Sequence, residues 1–402
     1  MDNKITLKVS KWKDNAVAPV IFMIDDIANI SVKKVSSSHL KIGEDWGQYG
    51  FQKNSMWDFL SKNLLNKFTD IKTTFFLVTD KRAPMAIGES YSYNNAIDKD
   101  KEFIEFLQYL EKNPSVELAY HGTNHGKASI KHEDFLQEWE TFKSLNEATS
   151  EIERGKSLFK NIVKSYPTGG KYCGYEAGKF GDESISKTGF KWWCYHWDGI
   201  LWDKNINNSK YDYDLTLNKG VVDIPSTVDA STLSLKIIKK LFTRKYLKSL
   251  YLFLTEGKTI EKHLDTLYNN KEVISIQEYS SPYRTDNRIQ YPNIVSDIDN
   301  LNYIFSYLSK KDIWYTTCNE LADYYLARLN VKIKFIEENK FIILSNQDLS
   351  SEITLISQFR GKKVSLCDSE GKFLLNFQKK RDEIYVTYSF ERNKEYIISI
   401  LN

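Results

Sequence analysis

From about residue 15 to residue 328, short apolar runs alternate with longer amphipathic stretches, and this constrains the fold more than any other feature of the chain. Val20-Ile21-Phe22-Met23-Ile24 runs without a polar break into two aspartates, Asp25 and Asp26. Residues 73–78 (TTFFLV) form a second run, and residues 116–120 (VELAY) a third that ends at His121. Runs of this length without polar alternation are those of strands buried on both faces. Residues 101–112 and 134–165 instead carry apolar side chains at three- and four-residue spacing, which predicts helices. In the second, Phe135, Trp139, Phe142, Ile152, Leu158 and Phe159 supply the buried face. Residues 191–195, 221–224, 273–276 and 313–316 are further strand candidates, and residues 319–329 the last helix. Strands alternating with helices predict parallel β-α units, closed as a barrel or open as a doubly wound sheet. In both, ligands gather at the C-terminal ends of the strands, where Asp25, Asp26 and His121 fall.

Beyond residue 330 the periodicity changes. Seven short runs (332–336, 341–344, 353–356, 364–366, 373–377, 384–388 and 396–401), separated by turn residues, predict an all-β module, a small sandwich. The expected division is therefore 1–329 and 330–402, with residues 205–220 and 281–297 as polar loops on the rim of the first part. The second part has no tryptophan, which favours packing or oligomer contacts over sugar binding.

Composition narrows the function classes. With 56 basic and 53 acidic residues the chain has a net charge of +3, which offers no electrostatic footprint for nucleic acid or anionic lipid. The four cysteines (Cys173, Cys194, Cys318, Cys367) share no C-x-x-C spacing, so reduced thiols are expected. The N-terminus has no apolar h-region and no stretch is long enough to span a bilayer, so the expected location is the cytoplasm.

Two aspartates after one strand and His121-x-x-x-His125 after another make a candidate divalent-metal site. Imidazole and carboxylate suit zinc, with three protein ligands and one position left for water or substrate. His121-Gly122-Thr123-Asn124-His125 contains Gly and Asn, so a tight turn leaving the strand can aim both imidazoles at one point. Without a metal, the aspartates would read as a helix N-cap pair and the histidines as surface or core residues.

The order PVIFMIDD, TTFFLVTD, VELAYHGTNH resembles the polysaccharide deacetylases, the NodB-homology or family 4 carbohydrate esterases. FLQEWETFKSLNEATSEIERGKSLFK is similar to the family's helix before its third motif, and IWYTTCNELADYY to its last strand and helix. The resemblance covers roughly residues 18–328 and implies a distorted (β/α) barrel. It implies Asp26, His121 and His125 as metal ligands, with zinc usual and cobalt, manganese or nickel as alternatives. Asp25 would be the general base, and the reaction would release acetate from an N-acetylated sugar.

Three places depart from the family pattern. The arginine that holds the base aspartate is replaced by Lys171 in GGKYCGY, a loop that also offers Tyr172 and Tyr175 to substrate. The tryptophan-rich motif corresponds to WWCYHWD, where Trp193 and Trp197 are candidates for the acetyl pocket. The Leu-x-His motif, source of the usual general acid, is VISIQEY and has no histidine; Glu278 and His196 are the candidate acids, and His263 is expected on a helix surface. The substrate expected is a nucleotide- or lipid-linked amino sugar or a polysaccharide precursor. The alternatives are a carbohydrate-binding protein that keeps the fold without catalysis, and a hydrolase of another amide or an ester.

Overall fold

The computed structural model describes residues 6–31, 51, 55–91, 93–196, 213–230, 258–280, 292–358 and 363–401. The chain divides into two compact units, residues 20–311 with 315–319, and residues 1–19 with 312–314 and 320–402.

The larger unit is built on one sheet. Its strands run in the order Thr216–Asn218, Val221–Asp223, Trp192–Cys194, Gly169–Lys171, Val116–Tyr120, Thr73–Leu77, Ala18–Ile27, Ile274–Tyr279, Val228–Asp229. All neighbours in this path are parallel except the first pair. Parallel neighbours need crossovers, and helices Lys101–Glu111 and Leu145–Val163 provide two of them. Asp100 caps the first by accepting from the Glu102 and Phe103 N–H groups at 3.0 and 3.1 Å. Phe103, Phe106, Leu107 and Leu110 form its buried stripe. Helices on the sheet faces explain why every residue of Ala18–Ile27 is buried. This is the sheet of a distorted (β/α) barrel, one of the two forms that the alternation of runs leaves open and the one that the resemblance implies.

The helix expected over 134–165 begins only at Leu145, where Ser144 caps it by accepting from the Glu147 N–H at 3.2 Å. Residues before it form a two-residue strand, Leu136–Gln137, and a 3-10 turn, Glu138–Thr141. Trp139 and Phe142 still pack with Ile152 in one hydrophobic cluster, so the apolar spacing was real while the backbone was not helical. Thr216–Asn218 is likewise a strand within a segment expected to be loop. Residues 205–212 and 281–291 lie outside the described residues.

In the smaller unit, two antiparallel sheets enclose a core of Phe341, Ile343, Ile353, Leu355, Leu366, Val386, Tyr396 and Ile398. One sheet orders Lys332–Phe335, Lys340–Leu344, Glu395–Leu401, Lys363–Asp368 and Phe373–Asn376. In the other, the N-terminal Lys8–Val9 pairs with Ile353–Ser357, which pairs in turn with Glu383–Tyr388. The expected β-sandwich is present, and it takes in the N-terminal strand. Among the described residues no helix is long and apolar enough to cross a membrane.

Candidate metal centre and active site

In a regular strand Asp25 and Asp26 would point to opposite faces. Here the register to Thr73–Leu77 shifts between Ile24 and Ile27, and Asp26 takes a φ of 69°. Such a bulge re-aims a side chain, and aspartate is one of the few residues that tolerates positive φ. Both carboxylates are buried, at 1% and 2% exposure, so each requires a partner.

Asp26 finds several. Arg82 Nη2 donates to its Oδ2 at 2.8 Å, while its Oδ1 stands 2.9 Å from His125 Nε2 and 3.6 Å from His121 Nε2. Burial alone would raise the Asp26 carboxyl, but Arg82, His125 and His121 together hold it well below the usual carboxylate range. Burial, with Arg82 beside it, pushes the His125 imidazole down to about 4 against the pull of Asp26, so it is neutral at pH 7. His121 Nδ1 lies 3.1 Å from the Lys171 carbonyl oxygen, which can only accept. Nδ1 therefore donates there, which fixes the ring with Nε2 toward Asp26, the kind of support found behind metal-bound histidines. An ionised carboxylate oxygen and two imidazole nitrogens converging in this way fit a divalent ion. Cys173 adjoins them: its Sγ and donor atoms of both histidines lie within 4.8 Å of one another. Burial keeps Cys173 a thiol, its pKa well above the ordinary value, and it donates to the His121 carbonyl at 3.2 Å.

Asp25 has a different partner. Lys171 Nζ stands 2.9 Å from Asp25 Oδ1 and also donates to Gln277 Oε1. The ammonium lies 4.2 Å from the centre of the Phe76 ring and is fully buried. Tyr175 donates to the same Gln277 oxygen at 3.1 Å and shares a 2.7 Å hydrogen bond with Ser226. Burial, then Asp25, pushes the Tyr175 phenol well above its ordinary value.

The other residues proposed from sequence lie apart from this pair of carboxylates or outside the described residues. Ile274–Tyr279 pairs with Ala18–Ile27 so that Gln277 neighbours Met23, Glu278 neighbours Ile24 and Tyr279 neighbours Asp25. Alternation puts Gln277 and Tyr279 on the Asp25 face and Glu278 on the opposite one. Tyr172 and Trp193 are fully buried in a cluster with Tyr120, Trp139 and Phe190. Tyr172 donates to Asp182 at 2.9 Å. They are packing residues of this unit, so their rings are not offered to a ligand. His196 is exposed beside Asp223, whose carboxyl burial raises to about 6 while His196 draws it down. His263, expected at the surface, meets the Thr227 carbonyl at 2.8 Å. Trp197 lies outside the described residues.

Two residues escape the sequence reading. Arg82 follows its strand in a DKR triplet that reads as ordinary surface charge. Glu138 is masked by helical periodicity. Its buried carboxylate accepts the Thr123, Asn124 and His125 N–H groups at 2.8, 2.8 and 2.7 Å. Burial raises Glu138 to about 7, against the pull of those three donors.

No protein-family model and no curated protein matches the chain. Among solved structures it is similar to a Mycobacterium smegmatis protein described as a polysaccharide deacetylase, at 11% identity and a TM-score of 0.44, over 80% of this chain and 94% of that one. An allantoinase matches at 14% identity and a TM-score of 0.42, over 78% and 92% of the two chains. A family 4 acetyl xylan esterase from Clostridium thermocellum, in complex with a cobalt ion, matches at 10% identity and a TM-score of 0.37, over 77% and 91%.

Proposed function

We propose that this protein is a divalent-metal-dependent deacetylase that hydrolyses the N-acetyl group of an amino sugar. The observation that carries the reading is the split between two adjacent carboxylates. Asp26 turns to His121 and His125, while Asp25 turns to the ammonium of Lys171. This split supports a metal-binding role for one carboxylate and a proton-transfer role for the other.

Asp26 Oδ1, His121 Nε2 and His125 Nε2 would hold the ion, zinc being the best match for these donors. When bound, a divalent ion polarises the acetyl carbonyl and acidifies water. Asp25 takes the proton of the attacking water as general base, and Lys171, 2.9 Å from its Oδ1, orients that carboxylate. The leaving nitrogen must gain a proton. Since Glu278 faces away from Asp25 and His196 is exposed, we assign the return of that proton to Asp25 itself. Water thus supplies hydroxide to the acetyl carbon, and its proton goes to the amine.

A second reading, an ester substrate, is favoured by Gln277, which stands at the Lys171–Asp25 pair and cannot donate an acidic proton. An alkoxide is a better leaving group than the amide anion of an unprotonated nitrogen, which favours O-acetyl groups on chemical grounds.

The test is acetate release from N-acetyl and O-acetyl amino sugars and their nucleotide conjugates. Chelated protein would be assayed with and without added Zn²⁺ or Co²⁺. Metal-dependent acetate is expected, abolished in Asp25→Asn while the metal stays bound. Stoichiometric metal with no acetate from any substrate would leave a binding protein that kept the fold.

A further inference from the structure

Three consecutive backbone N–H groups, of Thr123, Asn124 and His125, point at one buried carboxylate, that of Glu138. Consecutive N–H groups converge on an anion only when the backbone leaves extended geometry. This loop does so, with φ of +82° at Gly122 and +68° at His125. Glu138 is itself fixed. Its neighbour Trp139 is fully buried against Tyr120, Tyr172 and Trp193, and Thr141 Oγ1 donates to the Glu138 carbonyl at 2.6 Å. The fit is close on the other side as well. A Cβ at Gly122 would stand 2.5 Å from Glu138 Oε2 and 2.9 Å from Cys173 Sγ.

We infer that Glu138 is the positioning residue of the metal loop: by binding the N–H groups of residues 123–125 it sets the turn that makes His121 and His125 converge. Their ring centres lie 5.2 Å apart, although the two residues leave the end of one strand. Glu138 is not a ligand; it acts through the backbone that carries the ligands. The three hydrogen bonds lie wholly within the protein, so the turn they set does not depend on an ion. This inference rests on the metal-binding reading above.

The experiment compares full-length wild type, Glu138→Gln and His125→Ala. Zn²⁺ affinity is measured by competition with a chromogenic chelator, and amide exchange of residues 121–126 on the metal-free proteins. Glutamine keeps the shape but removes the charge and sets an NH₂ group in place of Oε1, against the Thr123 N–H. Glu138→Gln is expected to bind Zn²⁺ about 10- to 100-fold more weakly, the range for partners that orient metal ligands. Its Co²⁺ absorption bands should shift, and exchange at 123–125 should accelerate while the helix Leu145–Val163 stays protected. Should Glu138→Gln not fold, Glu138→Asp keeps the charge, draws it back by one methylene, and is expected to show the same changes. Wild-type affinity together with wild-type exchange would overturn the inference. If wild type itself fails to bind Zn²⁺, the metal reading falls, and the exchange measurement still decides whether Glu138 shapes the loop.

Discussion

Replacing Lys171 by methionine removes the ammonium and leaves the volume nearly filled. Nζ stands 2.9 Å from Asp25 Oδ1, and the two side chains are 0% and 2% exposed. At an effective dielectric of about 20, unit charges at this distance attract by about 6 kcal/mol, which offsets the several kcal/mol needed to dehydrate each ion. Without the ammonium, the cost of burying Asp25 stands alone, and the expected loss of stability at pH 7 is about 3–5 kcal/mol. Asp25→Asn/Lys171→Met removes both charges and is expected to recover most of the stability. Urea unfolding of the four metal-free proteins, followed by tryptophan fluorescence, gives the full cycle. A Lys171→Met cost below about 1 kcal/mol, or single costs that simply add, would refute a buried ion pair as the support of Asp25.

Gly122→Ala should cost roughly 1–2 kcal/mol from the positive φ alone, plus displacement of Glu138 and Cys173, with a loss of Zn²⁺ affinity; calorimetry and dialysis check both. His125, held near 4 rather than 6.5, stays unprotonated in the folded protein while the unfolded chain takes up a proton. Metal-free stability is therefore fully present above pH 6.5 and falls toward pH 4, by about 3 kcal/mol for this group. Glu138, raised from 4.5 to about 7, has the opposite sign: its contribution is present below pH 4.5 and is lost as pH rises to 7. The two should offset each other in wild type, whereas the melting temperature of Glu138→Gln should climb between pH 4 and 6.5; a flat profile in that variant would argue against a buried neutral His125.

The apolar runs carried most of the fold, because a strand covered on both faces must be apolar throughout. Val20 to Ile24, residues 73–78 and residues 116–120 were legible for that reason, and the β-sandwich by its short alternating runs. Asp25, Asp26 and His121 were legible as candidates because they close such runs, and His125 because of its four-residue spacing from His121. The role of Lys171 could be posed from its place in GGKYCGY, but only the fold brings a residue 146 positions away to Asp25.

Tertiary structure decided the rest. Residues 134–144 carry helical spacing, yet Glu138 gains more from three N–H donors on another segment than from a helical turn, and periodicity cannot register a distant partner. Gln277 and Glu278 are adjacent in sequence, and either could face the site until strand register fixes Gln277 toward Lys171. Tyr172 and Trp193 lie in motifs that promise substrate contact, but the cluster with Tyr120 and Trp139 encloses them. Local spacing reports which residues one element can bury. Which charges meet depends on the register and crossing of elements far apart in the chain, and that is where Arg82, Lys171 and Glu138 acquired their partners.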